Sequence, residues 1–556
     1  MLNQLKKTPL VLIWTILGFQ VLLAQPANLQ DRTLQLDSLV SNYYPSDTAP
    51  GIAALIVHKG AVIYSRQAGM ANLENSTPIT DSTAFHIASV SKQFTSFLAL
   101  LLEEEGKLSM EDDLRDHLEE LDHLPYKITL RQLANHTHGL PNLFELAQIR
   151  GLDISDRMTH EEVVQMLLQI RQVNFRPGDA YQYNNTGYVL LAEVIERTMG
   201  QPFQRVLKDR VLNPLGMSST RAVPSDELII PNKAQSYKFE GGIYKNHPFG
   251  IMANGSSGIR TTIMDLGLWA GNFQVPSAAH KKLFQRMQEP TVLNSGEVVN
   301  YGLGLEWKKY KGMDVVFHGG GDAGYRAYIL HIPEQQCSIV VLGNNNDFAP
   351  LELTYDIVDL YFEAHQIPDS PPEKSSYTTG QLSAFEGTYE MSPGVYYNII
   401  AAQDTLYFQS YGTLDMAPLP VIGDGDFLFP YIPTSKFSFH EGGFDFHIAD
   451  FTYACKKIEL YPPRYEEIDL SEFTGLYQNM ELNTLYEITI DDNRLVARHH
   501  LNEDIILHPR AEDSFYSTSG FFGQVDFTRD PQGMVIKFIL SGRNVQGLEF
   551  RKIPAR

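Results

Sequence analysis

One helix-forming stretch, residues 85–106, most constrains how this chain can fold. Its apolar side chains recur at the i, i+3, i+4, i+7, i+8 spacing of a single helical face: Phe94, Phe97, Leu98, Leu101 and Leu102. Gly106 then supplies a stop signal for the helix. The apolar face is typical of an amphipathic helix, and Ser89 lies at the beginning of this predicted helix.

Two polar residues in this first turn form a candidate catalytic pair. Ser89 is followed three residues later by Lys92, and it is the one serine of the chain with a lysine at that spacing. Three residues are nearly one helical turn, so the hydroxyl and the ammonium group would share a face. The lysine can accept the serine proton, and the positive end of the helix dipole favours the developing alkoxide. An exposed serine and lysine at a helix start explain the same pattern, and Ser91 is interpreted only as a helix-start residue.

Length and charge limit the classes of function. A chain of 556 residues predicts two or three domains. Residues 1–24 are typical of a secretory signal, with a basic start, an apolar run and a small residue, Ala24, at its end. A periplasmic or secreted protein without a membrane span after cleavage is therefore predicted; an uncleaved anchor is the alternative. A net charge of −22 argues against binding to nucleic acid or to anionic membranes.

Cysteine and histidine usage gives no metal or cofactor signature. The two cysteines, Cys337 and Cys455, fall in different predicted domains, so a disulfide framework is not expected. The two histidine pairs, His136 with His138 and His499 with His500, lack the helical spacing and the neighbouring acid of a metal site. No glycine-rich phosphate loop is present either. We therefore predict no cofactor and no metal.

The order of predicted elements indicates the fold class. Strands are predicted over 52–57, 61–64, 302–307, 315–318, 325–332 and 338–342, and a helix over 355–365. They flank a long, mainly helical block. This is the pattern of an α/β (α+β) domain in which helices and a helical subdomain pack on an antiparallel sheet, and we assign it residues 25–366.

The last third of the chain has a different composition. Residues 367–380 are rich in proline, serine and threonine and predict a linker. Beyond it, Leu382-Ser383, Phe385, Gly387 and Tyr389 recur in the same order and spacing as Leu470-Ser471, Phe473, Gly475 and Tyr477. This repeat predicts two all-β units, residues 381–466 and 467–556, which form two small barrels or two halves of one barrel.

A second proton-handling residue is predicted at Tyr183. A tyrosine near the nucleophile can relay a proton if neighbouring cations lower its pKa. Tyr183 is followed by Asn185, an amide side chain at the start of a predicted helix. The same Tyr-x-Asn pattern occurs at Tyr244, Tyr396 and Tyr477, but none of these has a comparable position in the predicted catalytic domain.

A glycine run supplies the third candidate element. His318 is followed by Gly319, Gly320 and Gly321, and the run lies between two predicted strands. Consecutive glycines allow a substrate to lie against the strand, with a backbone N–H directed at a developing oxyanion. A glycine-rich hairpin without a catalytic role is the alternative.

The Ser89-Lys92 pair, the Tyr183-Asn185 motif and the His318 glycine run occur in one domain, and their order is similar to that of the motifs of a known family. Residues 30–365 resemble the serine β-lactamase and penicillin-binding protein group, specifically the branch of class C β-lactamases, D-alanyl-D-alanine carboxypeptidases and D-aminopeptidases. Three further segments are similar to that family: residues 128–141, Pro177-Gly178 before the tyrosine, and residues 255–266. The resemblance implies a β-lactamase-like fold and a serine acyl-enzyme mechanism.

The resemblance also implies a role for each site residue. Ser89 would be the nucleophile, and Lys92 and Tyr183 would share the general-base and proton-relay work. Asn185 would hold the lysine or the substrate amide, and His318 and Gly320 would contact substrate. The backbone N–H groups of Ser89 and Gly321 would form the oxyanion hole. His318 departs from the lysine that β-lactamases of this class carry, which lowers the expectation of efficient antibiotic hydrolysis.

The predicted function is hydrolysis of an amide or ester by a secreted serine hydrolase, acting on a D-amino-acid peptide or a small ester. The alternatives are a β-lactamase proper and a non-catalytic penicillin-binding-type module that binds cell-wall fragments. In a further hypothesis, the β repeats cover the active site and restrict it to small substrates. The partner is a small molecule or a peptide, while the natural substrate and the oligomeric state stay open.

Overall fold

A six-stranded antiparallel sheet forms the centre of the first part of the chain. The computed structural model describes residues 27–44, 46–225, 228–362, 377–411, 415–429, 435–448 and 451–554, so the predicted signal and most of the linker lie outside it. Each strand of the sheet is antiparallel to its neighbours. Their order in space is Glu306–Tyr310, Met313–Asp322, Tyr325–Ile332, Cys337–Gly343, Ile52–His58 and Ala61–Ala68.

Helices cover both faces of this central sheet, which confirms the predicted fold class. One face packs against the helices Ala27–Ser41 and Pro350–Phe362. The other face packs against Ile263–Gln274 and a block of further helices. These are Ser91–Glu104, Leu130–Ala134, Leu143–Ile149, His160–Leu167, Thr186–Met199, Phe203–Leu207, the π-helix Lys208–Leu212 and Ala278–Met287. Short strands form small two- and three-stranded sheets: Met70–Asn72, Thr77–Pro78, Phe85–His86, Arg221–Ala222, Tyr237–Glu240, Ile243–Asn246, Ile259–Thr261, Thr291–Val292 and Val298–Val299.

Several predicted bounds are wrong. The strands expected over 61–64 and 315–318 extend over Ala61–Ala68 and Met313–Asp322, so the glycine run after His318 lies within a strand rather than between two strands. The strand expected over 302–307 runs instead from Glu306 to Tyr310. Gly304, at a φ of +77°, lies so close to the Lys92 carbonyl that an added Cβ would be 2.9 Å from it, and this turn delays the strand. The helix expected from residue 355 already begins at Pro350, where proline suits the first turn of a helix.

The helix Ser91–Glu104 is buried on more than the one face that its apolar spacing predicts. Leu101 is only half-buried, whereas Gln93, Thr95 and Ser96 are buried. Each of these polar side chains has a partner, as burial requires: Gln93 Oε1 accepts from Trp269 Nε1 at 2.9 Å, and Thr95 Oγ1 donates to Gly255 O at 2.8 Å. Ser96 Oγ lies 3.0 Å from Tyr188 Oη. The helix therefore runs through the middle of the helical block.

The C-terminal part is all-β and consists of two eight-stranded antiparallel units, so the two-halves alternative is excluded. The first unit comprises Gly387–Ser392, Val395–Ala402, Thr405–Ser410, Ala417–Leu419, Asp426–Leu428, Lys436–His440, Gly443–Ile448 and Phe451–Ile458, preceded by the short helix Thr379–Leu382. The second is a closed barrel of Gly475–Asn479, Thr484–Asp491, Arg494–Arg498, Ile505–Ala511, Ser514–Tyr516, Gln524–Arg529, Val535–Ser541 and Leu548–Ile553.

Equivalent contacts in the two units confirm the repeat. The hydroxyl of Tyr389 donates to Phe385 O at 2.7 Å, and the hydroxyl of Tyr477 donates to Phe473 O at 2.8 Å. A lysine ammonium lies over each tyrosine ring, at 5.8 Å in the first unit and 5.7 Å in the second. The exact domain boundaries given above stay predictions.

The closed barrel packs directly on the helical block. Tyr486 Oη donates to Ile149 O at 3.0 Å, and Asn502 Nδ2 donates to Gln148 O at 2.9 Å, at the end of the Leu143–Ile149 helix. The apolar cores of the two regions form one continuous cluster. Within the described ranges, no helix is long and apolar enough to cross a membrane.

Candidate active site

Ser89 lies on a tight turn rather than in the first turn of the long helix. The strand Phe85–His86 pairs with Ile259–Thr261, and a 3₁₀ turn, Ala88–Val90, then leads into the Ser91–Glu104 helix. Ala88 has a φ of +45°, a left-handed conformation that a non-glycine residue rarely adopts. Ser89 itself is half-buried. The turn therefore holds the candidate nucleophile at the surface of the core in a strained backbone segment.

Lys92 is the centre of the site. Its side chain is fully buried, and its ammonium nitrogen, Nζ, donates to three oxygens. These are Ser89 Oγ at 3.0 Å, Asn185 Oδ1 at 2.8 Å and the Ser256 carbonyl at 3.0 Å. The contact between Ser89 and Lys92 that the spacing predicts is therefore present.

Burial changes the protonation of this lysine. It lowers the pKa of Lys92 from 10.5 to about 7, against the opposing effect of the negative charge of Asp322. The Nζ atom also lies 4.9 Å from the ring centroid of Tyr183 and 5.5 Å from that of Tyr188. A neutral amine is thus accessible near neutral pH, which is the form that can accept a proton.

Neighbouring cations do not lower the pKa of Tyr183, which was the condition for its proton relay. Its hydroxyl is hydrogen-bonded to Ser89, but burial raises the pKa of Tyr183 well above 10, and the charge of Glu306 raises it further. The hydrogen bond to Ser89 lowers this pKa and does not offset burial. Tyr183 is therefore a protonated phenol, suited to passing on a proton rather than to acting as a phenolate base.

Asn185 contacts the lysine, one of the two roles predicted for it. Its Oδ1 accepts the hydrogen bond from Lys92 Nζ described above, and its backbone N–H donates to Asn142 Oδ1 at 2.9 Å. The residue directly precedes the Thr186–Met199 helix. Its position is therefore fixed from two sides, and contact with a substrate amide stays a prediction.

His318 is buried and uncharged. Its Nε2 lies 3.2 Å from Tyr301 Oη, and its Nδ1 lies 2.6 Å from Gly319 O. Burial, followed by the charge of Lys92, lowers the pKa of His318 to about 3. At neutral pH this position carries no positive charge, unlike a lysine.

The glycine strand lies directly against the Ser89 turn. A Cβ added at Gly320 would overlap the Ile87 carbonyl and lie 3.2 Å from Ser89 N. Only glycine permits this approach. Gly321 follows at the exposed end of the Met313–Asp322 strand. The contact brings together the two segments from which an oxyanion hole is predicted, while the roles of the Ser89 and Gly321 N–H groups stay predictions.

Sequence reasoning missed the side chains that position Tyr183. The backbone carbonyl of His136 accepts from Gln182 N at 3.0 Å, and its Nδ1 accepts from Asn184 N at 3.1 Å. The centroid of the His136 ring lies 4.4 Å from that of the Tyr183 ring and 4.6 Å from that of the Tyr301 ring. Segment 128–141, which contains His136, resembles the family in sequence, but nothing in the sequence assigns Tyr301 to the site.

A loop of the C-terminal barrel reaches the rim of this site. It joins the last two barrel strands, and its carbonyl groups accept three hydrogen bonds from the catalytic region. Asn544 O accepts from Asn142 N at 2.9 Å and from Asn174 Nδ2 at 3.1 Å. Arg543 O accepts from Gln182 Nε2 at 2.9 Å. Because Gln182 precedes Tyr183, the loop borders the entrance to the site.

The histidines singled out as possible metal ligands have other partners. Among the residues that the structure describes, no group of three or more His, Cys, Asp or Glu side chains could hold a metal ion. His138 Nδ1 accepts from Leu140 N at 2.9 Å, and His499 Nε2 lies 3.0 Å from Thr484 Oγ1. These histidines therefore have structural partners.

Comparison with known families and sequences gives three relevant matches. A family model described as Beta-lactamase matches residues 28–360. A D-aminopeptidase of Gluconobacter oxydans is 28% identical over 362 residues, which cover 64% of this chain and 66% of that protein. Penicillin-binding protein 4* of Bacillus subtilis is 27% identical over 396 residues, 66% of this chain and 85% of that protein. This chain thus spans slightly less than two thirds of the aminopeptidase.

Solved structures agree in fold. An octameric penicillin-binding protein homologue from Pyrococcus abyssi has a TM-score of 0.54 at 21% identity and covers 86% of this chain and 99% of its own. D-amino acid amidase from Ochrobactrum anthropi, in complex with L-phenylalanine, has a TM-score of 0.50 at 22% identity and covers 60% of this chain and 98% of its own. At these identities the likeness establishes the fold alone.

Proposed function

Because the chain belongs to the beta-lactamase family, we propose that it is a serine hydrolase that cleaves an amide or ester through an acyl-enzyme on Ser89. One observation carries the proposal: Lys92 Nζ bridges Ser89 Oγ at 3.0 Å and Asn185 Oδ1 at 2.8 Å in a fully buried setting. Nucleophile, base and orienting amide are thereby in hydrogen-bond reach, as this chemistry requires.

The proposed acylation step follows from the protonation states. Neutral Lys92 accepts the proton of Ser89 as Oγ attacks the carbonyl carbon. The resulting oxyanion is held by the N–H groups of Ser89 and Gly321. Tyr183, hydrogen-bonded to Ser89, gives its proton to the leaving nitrogen or oxygen and regains one from Lys92. The carbon–heteroatom bond breaks, and the amine or alcohol departs.

Deacylation repeats these steps with water. Lys92 accepts a proton from the attacking water, the ester bond to Ser89 Oγ breaks, and Lys92 returns a proton to the serine oxygen. The acid product is released, and the site returns to its starting protonation state. Water is the co-reactant that this balance requires.

We propose a D-amino-acid peptide or a small ester as substrate. The names of the relatives, D-aminopeptidase and penicillin-binding protein, favour amide chemistry on substrates of this kind. Neutral His318 is the observation that disfavours the first alternative, a β-lactamase proper, because it offers no cation to an antibiotic carboxylate. The second alternative, a non-catalytic module, does not account for a buried lysine held against a serine hydroxyl, an arrangement that is costly to build.

A panel of chromogenic substrates tests the proposed function. D-alanine p-nitroanilide, p-nitrophenyl butyrate and a chromogenic cephalosporin represent the three classes. We expect turnover of the first two and at most slow turnover of the third. The proposal is contradicted if folded, full-length protein hydrolyses none of them. Secretion is proposed from residues 1–24 alone and would be tested by the N-terminal sequence of the exported protein.

The pH dependence of activity should report Lys92. Because its pKa is about 7, the fraction of neutral amine rises with pH through that value. His318, with a pKa of about 3, and Tyr183, far above 10, do not titrate near it. We expect kcat/KM to rise about tenfold per pH unit below pH 7 and to level off above it. A profile that is flat between pH 5 and 9 would rule out Lys92 as the base.

The barrel loop should limit substrate size. We expect that replacement of residues 542–547 by Asn-Gly, a two-residue hairpin turn, raises kcat/KM for a bulky naphthyl ester about tenfold relative to p-nitrophenyl acetate. The reason is that residues 543 and 544 border the entrance beside Asn142 and Gln182. Truncation of the protein after residue 366 would also remove the loop, but the barrel shares an apolar core with the catalytic region, so truncation would expose that core. Loop replacement is therefore the cleaner test.

A matched control is available at the opposite end of the same barrel. Residues 530–534 join the Gln524–Arg529 and Val535–Ser541 strands, and successive hairpin turns of an up-and-down barrel lie at opposite ends. Shortening that turn should leave size selectivity unchanged. Equal selectivity in the 542–547 variant and the wild type would show that the loop does not restrict access.

A further inference from the structure

We propose that Asp322 is a positioning residue of the active site: its hydrogen bond to His86 clamps the glycine strand against the turn that carries Ser89. The His86 Nε2 and Asp322 Oδ2 atoms lie 2.8 Å apart, although 236 residues separate them in the chain. The inference rests on the proposed function, because it assigns the clamp to the oxyanion hole of that reaction.

The two clamped segments are in contact where both predicted oxyanion donors lie. Gly320 packs against the backbone of residues 87–89 so closely that no side chain would fit. The Ser89 turn is also strained, since Ala88 has a φ of +45°, and strained segments persist only when their surroundings hold them. To keep Ser89 N and Gly321 N at a fixed distance, an interaction must therefore join the Ser89 turn to the glycine strand.

The His86–Asp322 hydrogen bond is such an interaction. Within the part of the chain that the structure describes, it is the one hydrogen bond that joins residues 85–90 to residues 313–322. The glycines between His318 and Asp322 have no side chains to contribute one. Asp322 lies two residues after Gly320, and His86 lies three residues before Ser89. The hydrogen bond therefore joins the two segments next to the place where they touch.

Burial and ring packing around His86 and Asp322 protect this hydrogen bond from water. His86 is 2% exposed and Asp322 is 8% exposed. The His86 ring stacks on Phe249 with centroids 5.3 Å apart and meets Tyr325 edge-on at 5.5 Å. Because a carboxylate oxygen only accepts, His86 Nε2 must carry the hydrogen. Burial lowers the pKa of His86, as do the charges of Arg260 and Lys233, against the raising effect of Asp322.

Asp322 has a second, separable effect, on Lys92. Its negative charge raises the pKa of Lys92 and so opposes burial. The groups around Lys92 are the hydroxyl of Ser89, the Asn185 amide, the Ser256 carbonyl, the rings of Tyr183 and Tyr188, and the neutral histidines His136 and His318. A variant that keeps the hydrogen bond but removes the charge therefore distinguishes the two effects.

Four variants of the full-length protein test the clamp. Asp322→Ala and His86→Phe remove the hydrogen bond, whereas Asp322→Asn and His86→Gln each keep a partner for it. We expect the first two to lower kcat about 10- to 100-fold with KM within about threefold, because the oxyanion hole acts in the transition state. Asp322→Asn should keep the plateau kcat within about threefold and move the rising limb of the pH profile to lower pH. Asp347→Ala is the control and should match the wild type, because Asp347 is an exposed acid whose charge, like that of Asp322, acts on Arg326.

Hydrogen exchange measured by mass spectrometry gives a readout that does not need turnover. Peptides covering residues 85–90 and 318–322 should exchange about tenfold faster in Asp322→Ala and at the wild-type rate in Asp322→Asn. The clamp is overturned if Asp322→Ala leaves both kcat and exchange unchanged, or if it changes KM alone. If the wild type hydrolyses no substrate, the exchange result still decides the clamp, and only the proposed function fails.

Discussion

Replacement of Ser89 by alanine should abolish hydrolysis. Without the hydroxyl no acyl-enzyme can form, and only the binding and oxyanion contacts of the site are left. Loss of the nucleophile in serine hydrolases of other folds costs on the order of 10⁶ in kcat, and we expect a loss of at least about 10⁴ here. The measurement is the initial rate with p-nitrophenyl butyrate and with D-alanine p-nitroanilide, after affinity purification that excludes host hydrolases.

Ser91→Ala is the matched control for this prediction. Ser91 lies two residues away in the same motif and is fully buried, and its Oγ accepts only a long bond, 3.4 Å, from Ile259 N. We expect its activity to stay within a few-fold of the wild type. Comparable rates for Ser89→Ala and the wild type, with both proteins folded, would remove Ser89 from the mechanism.

Replacement of Lys92 by methionine should be nearly as severe. Methionine fills a similar volume in the fully buried position, but it cannot accept the Ser89 proton or donate to Asn185. General-base catalysis contributes typically 10²–10⁴-fold, so we expect kcat/KM to fall by about 10³ on the plateau above pH 7, and by less at lower pH, where the wild type itself loses activity. The rising limb near pH 7 should also disappear, because the group that titrates there is gone.

An exposed lysine after the same helix provides the control. Lys107→Met removes one positive charge near the end of the Ser91–Glu104 helix and leaves the site intact. It should retain both the rate and the pH profile of the wild type. A Lys92→Met protein that keeps the pH 7 limb would show that another group supplies the base.

The elements that sequence reasoning predicted well depend on local spacing. Ser89 and Lys92 lie three residues apart on a turn and helix that the apolar periodicity already indicated, so their contact was foreseeable. The contact of Asn185 with Lys92 followed from the family resemblance. The two β units followed from the repeated Phe, Gly and Tyr positions, because the same sequence pattern produces the same tyrosine-to-carbonyl bond in each unit.

The features that sequence reasoning missed depend on distant residues. The sequence does not show that the pKa of Tyr183 is raised, because the rings of His136 and Tyr301, which pack against it and help exclude water, come from distant parts of the chain. The burial of the polar side of the Ser91–Glu104 helix depends on partners such as Trp269 and Gly255. Likewise, no local pattern brings residues 543 and 544 of the barrel beside Gln182 and Asn142.

The most direct test of the account is the intact mass of the protein after incubation with a fluorophosphonate and, separately, with a fluorescent penicillin. If Ser89 is the nucleophile, we expect a single covalent adduct with the fluorophosphonate, located on the peptide that contains Ser89 and missing from Ser89→Ala. A penicillin adduct on the same residue would show in addition that the site accepts β-lactams. Folded wild-type protein that gains no mass with either reagent, or an adduct that persists in Ser89→Ala, would contradict a serine acyl-enzyme at this position.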